Sequence, residues 1–210
     1  MLFKLFGLLI LVVSSSSLAF EGWEISLGTG SAFNLQESIN IEMDNGEEIR
    51  SDSVSLETKP FTPPFYYNLR VGRWYQNNAL EVEFIHHKLY AKSSDLNNRV
   101  QNFEITDGYN LLYLNFAFSL VPNWNTRAGF GPVIAHPDVT VDGVTTHGNY
   151  QLSGVTAQLA LEREIELTKN LLFSLEGKMT YSYAELDLDY GKVSVPNTAL
   201  HLIGQLKFRL

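Results

Sequence analysis

From residue 22 to the end, apolar and polar side chains alternate in one segment after another, and the polar half of the alternation carries arginines, lysines and glutamates. A period of two puts successive side chains on opposite faces of a strand. One face is therefore apolar: Trp23, Ile25 and Leu27, then Leu69 and Val71, then Leu80, Val82 and Phe84, and finally Leu200, Leu202, Leu206, Phe208 and Leu210. The other face collects Glu24, Arg70, Glu81, Glu83, Arg127, Glu162, Glu176, Lys178, Lys207 and Arg209, five acids against five bases. Such a face cannot meet hydrocarbon, where each Arg or Lys costs roughly 2–4 kcal/mol at mid-bilayer. A soluble ligand-binding barrel needs the reverse arrangement, with the apolar face inside. The alternation predicts an all-β, antiparallel up-and-down transmembrane β-barrel with the charged set as an interior network. Eight strands leave room only for side chains, so this network is expected to plug the barrel, leaving a closed polar lumen.

The alternating segments number eight: 22–32, 65–75, 80–90, 108–120, 126–135, 150–164, 171–183 and 198–210. Most are about the 9–11 residues that a tilted strand needs to cross a membrane. The connections alternate in length. Those at 33–64, 91–107, 136–149 and 184–197 are long, and those at 76–79, 121–125 and 165–170 are short. Short periplasmic turns opposite long extracellular loops are the asymmetry of an outer-membrane barrel. Trp23, Trp74 and Trp124 fall at the short-turn end, as an inner aromatic belt would, and Tyr66, Tyr67, Tyr109, Tyr150 and Tyr183 are placed for an outer belt. The first long connection contains a further alternating pair, "INIEM" and "SVSLE", read as an extracellular hairpin; ten strands are the alternative. A short turn centred on Asn77 and Asn78 sets Arg70 opposite Ile85.

The chain opens "MLFKLFGLLILVVSSSSLAF", with Lys4 before a short apolar run and small residues at Ser17-Leu18-Ala19. This reads as a secretory signal peptide over 1–19, cleaved near Phe20, with a single barrel domain over 20–210. The run is too short for a transmembrane helix. Fifteen basic and 23 acidic residues argue against nucleic acid as a partner. The absence of cysteine removes both a disulfide framework and a lipid-bearing N-terminal cysteine.

With this architecture the chain resembles the small bacterial outer-membrane barrels of the outer-membrane protein A and X type, across essentially all of 20–210. The terminal "HLIGQLKFRL" looks like the closing strand that the barrel-assembly machinery recognises, ending here in Leu210 with Phe208 two residues earlier. The resemblance implies an integral outer-membrane protein, surrounded by lipid and lipopolysaccharide, with a structural or surface-binding role carried by its loops. Lipid A deacylases are also eight-stranded barrels, and similarity to them would make His86, on the outward face near the outer leaflet, a catalytic candidate. Their His-x-Ser word is missing, since His86 is followed by His87 and Lys88. The alternative function is thus a lipid A-modifying enzyme at the outer leaflet.

His86 and His87 are adjacent and point to opposite faces of a strand, so they cannot share a metal ion from regular backbone; only a bulge, or His87 meeting His201 across the lumen mouth, would revive metal binding, and neither metal nor cofactor is called for. His86 and Lys88 are expected to meet lipopolysaccharide at the outer leaflet, and His87 to cap the charged interior. "TDGYNLL" and "AGFGP" lack the spacing of phosphate loops, and their glycines read as turn and close-packing positions. The acidic stretches "MDNGEEIRSDS" and "ELDLDYG" read as solvated loops, with calcium binding the weaker alternative.

Overall fold

The computed structural model describes residues 20–210; the signal peptide expected over 1–19 lies outside them. The elements in chain order are β1 (Phe20–Asn34), β2 (Glu37–Met43), β3 (Glu48–Val54), β4 (Leu56–Glu57), β5 (Tyr67–Gln76), β6 (Asn78–Ala91), β7 (Val100–Val121), β8 (Trp124–Ala135), β9 (Asp138–Val141), β10 (Val144–His147), β11 (Gln151–Glu166), β12 (Leu171–Leu188) and β13 (Gly191–Arg209). Eight of them, β1, β5, β6, β7, β8, β11, β12 and β13, pair antiparallel with their neighbours. Pairing of β1 with β13, from Glu24 opposite Arg209 to Asn34 opposite Ala199, closes the ring. The protein is an eight-stranded antiparallel barrel.

The hairpin of β2 and β3 does not enter the ring, which settles the count against ten. It stands above β1, with β2 on the outer end of β13. A second hairpin, β9 and β10, stands on the outer end of β7. The long connections are thus largely strand. The connection read as 184–197 is a continuation of β12 and β13 to a tight turn at Asp189 and Tyr190. The register at the first short turn is Tyr75 opposite Asn78, which puts Arg70 opposite Glu83 and not Ile85. That correction is a shift of two residues, so every side chain keeps its face.

The chemistry of the two faces inverts along single strands. On β12, Phe173, Leu175, Met179, Tyr181 and Tyr183 point outward and are exposed, followed on the same face by Glu185 and Asp187. The inward face runs Ser174, Glu176, Lys178, Thr180 and Ser182, then Ala184, Leu186 and Leu188, all buried. β13 repeats the inversion, with Val193 and Val195 inward beyond Asn197 and His201. The point of inversion marks where hydrocarbon ends. About ten residue steps from Phe173 to Tyr183, at ~3.4 Å each and tilted ~40°, give an apolar band of about 25 Å, the height expected of a barrel belt. Above it the barrel continues as a water-facing cap around its own apolar core, including Ile39, Ile41, Leu89, Phe103, Val139, Leu186 and Val195.

Two aromatic expectations need correction. Trp23 is exposed, but Trp74 points inward, packs with Ala79, Ala117 and Phe20, and donates to Glu24. Tyr66 and Tyr109 are also buried inside, while Tyr67, Tyr150 and Tyr183 face out. Glycines sit where strands leave no space: a Cβ at Gly131 would fall 1.9 Å from the Leu112 carbonyl oxygen, and one at Gly129 1.8 Å from Asn115 Oδ1.

Candidate functional site

The inward parity of the ring strands brings the charged residues together in the half of the interior on the side of the short turns. Arg127 on β8 lies at the centre. Its guanidinium reaches Glu81 on β6, Glu162 on β11 and Glu176 on β12, each at 2.7 Å. Arg70 on β5 meets Glu176 at 2.7 Å and Glu162 at 3.0 Å, with Glu81 and Glu83 at 3.8 and 3.6 Å. Lys178 bonds Glu83 and lies 3.1 Å from Glu176. Towards the short turns, Lys207 joins Glu24 at 2.8 Å, Glu162 at 3.0 Å and Glu164. Arg209 closes the set on Glu24 and Glu164, both at 2.9 Å.

All ten residues expected in the interior network are therefore there, and all but Arg209 are buried. Glu164 joins them as a member outside the expected ten. It shares the parity of Glu162 two residues earlier, and that signal was available; with it, six carboxylates face five cations among the described residues. Amides complete the bonding. Asn115 and Gln158 donate to Glu83 at 2.8 and 2.7 Å, and Asn125 to Glu162 at 3.2 Å. Such density of charge-assisted bonds is what allows buried ions at all, because each unpaired ion carries a desolvation cost of several kcal/mol.

Above the ions lies a layer of neutral hydrogen-bonding groups. His201 Nδ1 pairs with the Tyr66 hydroxyl at 2.9 Å, and its Nε2 with Thr180 at 3.0 Å. His87 Nε2 lies 3.1 Å from Asn34 Oδ1, and the His87 and His201 rings meet edge to face at 5.2 Å. Asn34 ties the layer to the wall by donating to the Leu56 carbonyl and to Thr58. His87 thus caps the charged region, and the apolar core of the cap begins directly above it.

The expected outer-leaflet pair is differently placed. His86 does lie on the outward face, but its ring stacks on Tyr67 at 5.2 Å, its Nδ1 bonds Asn110 Oδ1 at 2.8 Å, and it is only 5% exposed. Lys88 is fully buried and donates to the Thr62 carbonyl at 2.5 Å. It occupies a bulge, since pairing with β7 shifts between His87 and Leu89. The cause is a segment the strand pattern does not locate. Residues 58–66 fold back as a strap across β6, and the ammonium that was expected to reach head groups bonds the strap instead. Neither residue offers the direct outer-leaflet contact expected of it. The groups bonded or stacked on His86 are the Asn110 amide and the Tyr67 ring.

No protein-family model and no curated protein matches this chain. Solved structures do. Neisserial surface protein A is 10% identical over 90% of this chain and 97% of its own, with a TM-score of 0.44. The attachment invasion locus protein Ail of Yersinia pestis is 13% identical over 90% and 100%, at 0.41. The outer membrane protein AlkL is 12% identical over 94% of each chain, at 0.46. At these values the likeness is one of general architecture, and the barrel itself stands on its own ring of paired strands.

Proposed function

We propose that this is an integral outer-membrane protein that does not conduct ions and acts through its extracellular cap, in a structural or surface-binding role. The observation that carries the reading is the two-storey interior. A buried ion network occupies the membrane part, and an apolar core occupies the part above it, so that the two barriers to a hydrated ion are of opposite chemistry. The inversion of face chemistry on β12 and β13 supports the orientation, since the hairpins of β2–β3 and β9–β10 lie beyond it, on the side of the long connections. The C-terminal strand β13 pairs with β1, in keeping with a closing role during assembly.

Surface proteolysis of intact cells tests the orientation. Cleavage is expected in the exposed turns of the cap, near Asn45 or Asp142, with the short turns at Asn77 and Asn123 protected. Cleavage confined to those short turns would place the cap in the periplasm and remove the surface role.

A further inference from the structure

The barrel wall has a seam at the outer rim. β5 covers β1 only from Phe20 to Gly28, where it ends opposite Asn68. Above that height β1 continues to Asn34 along β13, but its other side, from Thr29 onward, has no strand partner among the described residues. The gap is bridged by side chains and by the strap. Thr29 donates to the Tyr66 carbonyl, Thr58 to the Ala32 carbonyl, and Asn34 to the Leu56 carbonyl. A groove of about 710 Å³ remains between β1 and β4, lined among others by Ala32, Phe33, Leu35, Leu56 and Lys59. That is within the range of ligand sites, which run ~300–1,000 Å³.

Three features of the groove specify an occupant. Phe33, 68% exposed, lies opposite the exposed Leu200 of β13, and Leu35, 43% exposed and bonded to the Thr198 carbonyl, carries the apolar outward face of β1 one step further, while Phe61 and Phe65 on the strap are exposed as well. Beyond Thr29 the edge of β1 has no strand partner among the described residues and is met only in part by side chains, as at the Ala32 carbonyl, and open strand edges are not left bare where they border lipid. The charge is local: the four outer connections, counted over 35–66, 88–110, 135–151 and 184–197, hold fifteen acidic and six basic residues, yet three of those six, Lys59, Lys88 and Lys92, border the seam. Lys59 rests over the Tyr90 ring at 4.2 Å, with Glu57 only at 4.0 Å, and Lys92 bonds through its backbone to Ser55 in the groove wall. Lys88 is covered, so Lys59 and Lys92 are the accessible cations.

The geometry points to a lipid site: the seam holds one acyl chain of a lipid A molecule against Phe33 and Leu35, its amide- and ester-linked polar groups facing the open edge of β1, and a phosphate between Lys59 and Lys92. The inference deepens the surface-binding reading and rests on its orientation, with the cap at the outer leaflet.

Native mass spectrometry of the folded full-length barrel, titrated with bis-phosphorylated hexa-acyl lipid A or with phosphatidylglycerol, tests it. One lipid A is expected to be retained per barrel. Retention should weaken by about fivefold in the double variant Lys59→Gln/Lys92→Gln, as two exposed ion pairs of ~0.2–1 kcal/mol each would give. Leu35→Ser should weaken it too, and Lys192→Gln, a cap cation elsewhere, should not. Equal retention by all variants, or phosphatidylglycerol held as tightly as lipid A, would overturn the assignment. Heat-modifiable gel mobility of each variant confirms folding independently, and cleavage confined to the short turns would fault the orientation and leave the groove chemistry to this titration.

Discussion

At the scale of single residues the interior network is the main object. Arg127 contacts three carboxylates contributed by three different strands, so its removal strands several charges at once. Arg127→Met is expected to destabilise the barrel by about 3–5 kcal/mol, measured by denaturant unfolding in lipid vesicles. The double variant with Glu81→Leu should recover part of the loss, and a single-variant cost below about 1 kcal/mol would mean that water compensates these ions. Parity was enough to find ten members of the set in the sequence, because a strand assigns faces without reference to distant chain. It did not foretell that Lys88 is covered by residues 58–66 arriving from a connection, or that His86, on its expected face, is enclosed by Tyr67 and Asn110 of the neighbouring strands. A buried ammonium bonded to a carbonyl and an exposed one beneath a head group have the same sequence pattern.

At the scale of elements, β12 carries two solvents along one face. Met179, exposed near the middle of the apolar band, should tolerate Arg poorly, at about 2–4 kcal/mol, whereas Asp187→Arg beyond the inversion should cost about 0–1 kcal/mol. Equal costs would contradict the assigned membrane boundary. The outer ends of the hairpins are tied by Arg99, which bonds Asp142 at 2.6 Å and Glu47 at 3.2 Å and so links the β9–β10 turn to the β2–β3 turn. That hydrogen bonding holds the Asp142 carboxyl below the usual aspartate range. A lowered carboxyl pKa contributes stability that is fully present above the unfolded value of about 3.9 and is lost as pH falls through the folded value. Protection against hydrogen exchange in the two turns, taken relative to the intrinsic amide rate at each pH, should therefore be equal at pH 7 and pH 5 and fall only below about pH 4, and Arg99→Gln should abolish that dependence. A loss of protection between pH 7 and pH 5 would assign the clamp to other groups. The eight ring strands were legible because a hydrocarbon surround enforces strict alternation. The outer extensions were read as loops because there the apolar residues, such as Val193, Val195, Leu186 and Leu188, change to the inward face.

At the scale of the whole molecule the protein is a closed ring whose interior changes from ionic to neutral-polar to apolar along its axis. Formal charge follows the same division. The cap carries most of the acidic excess, while the interior nearly balances its own signs, as a low-dielectric enclosure requires. The number of strands and the direction of the side chains together leave no continuous aqueous path on this account. Planar-bilayer recording of the purified barrel is the most direct test of that claim. The expected result is a baseline current at ordinary voltages, unchanged when the cap hairpin 35–57 is clipped, because the ion network alone blocks the membrane part. A stable, reproducible open level from the intact protein would contradict it and show the interior to be a channel.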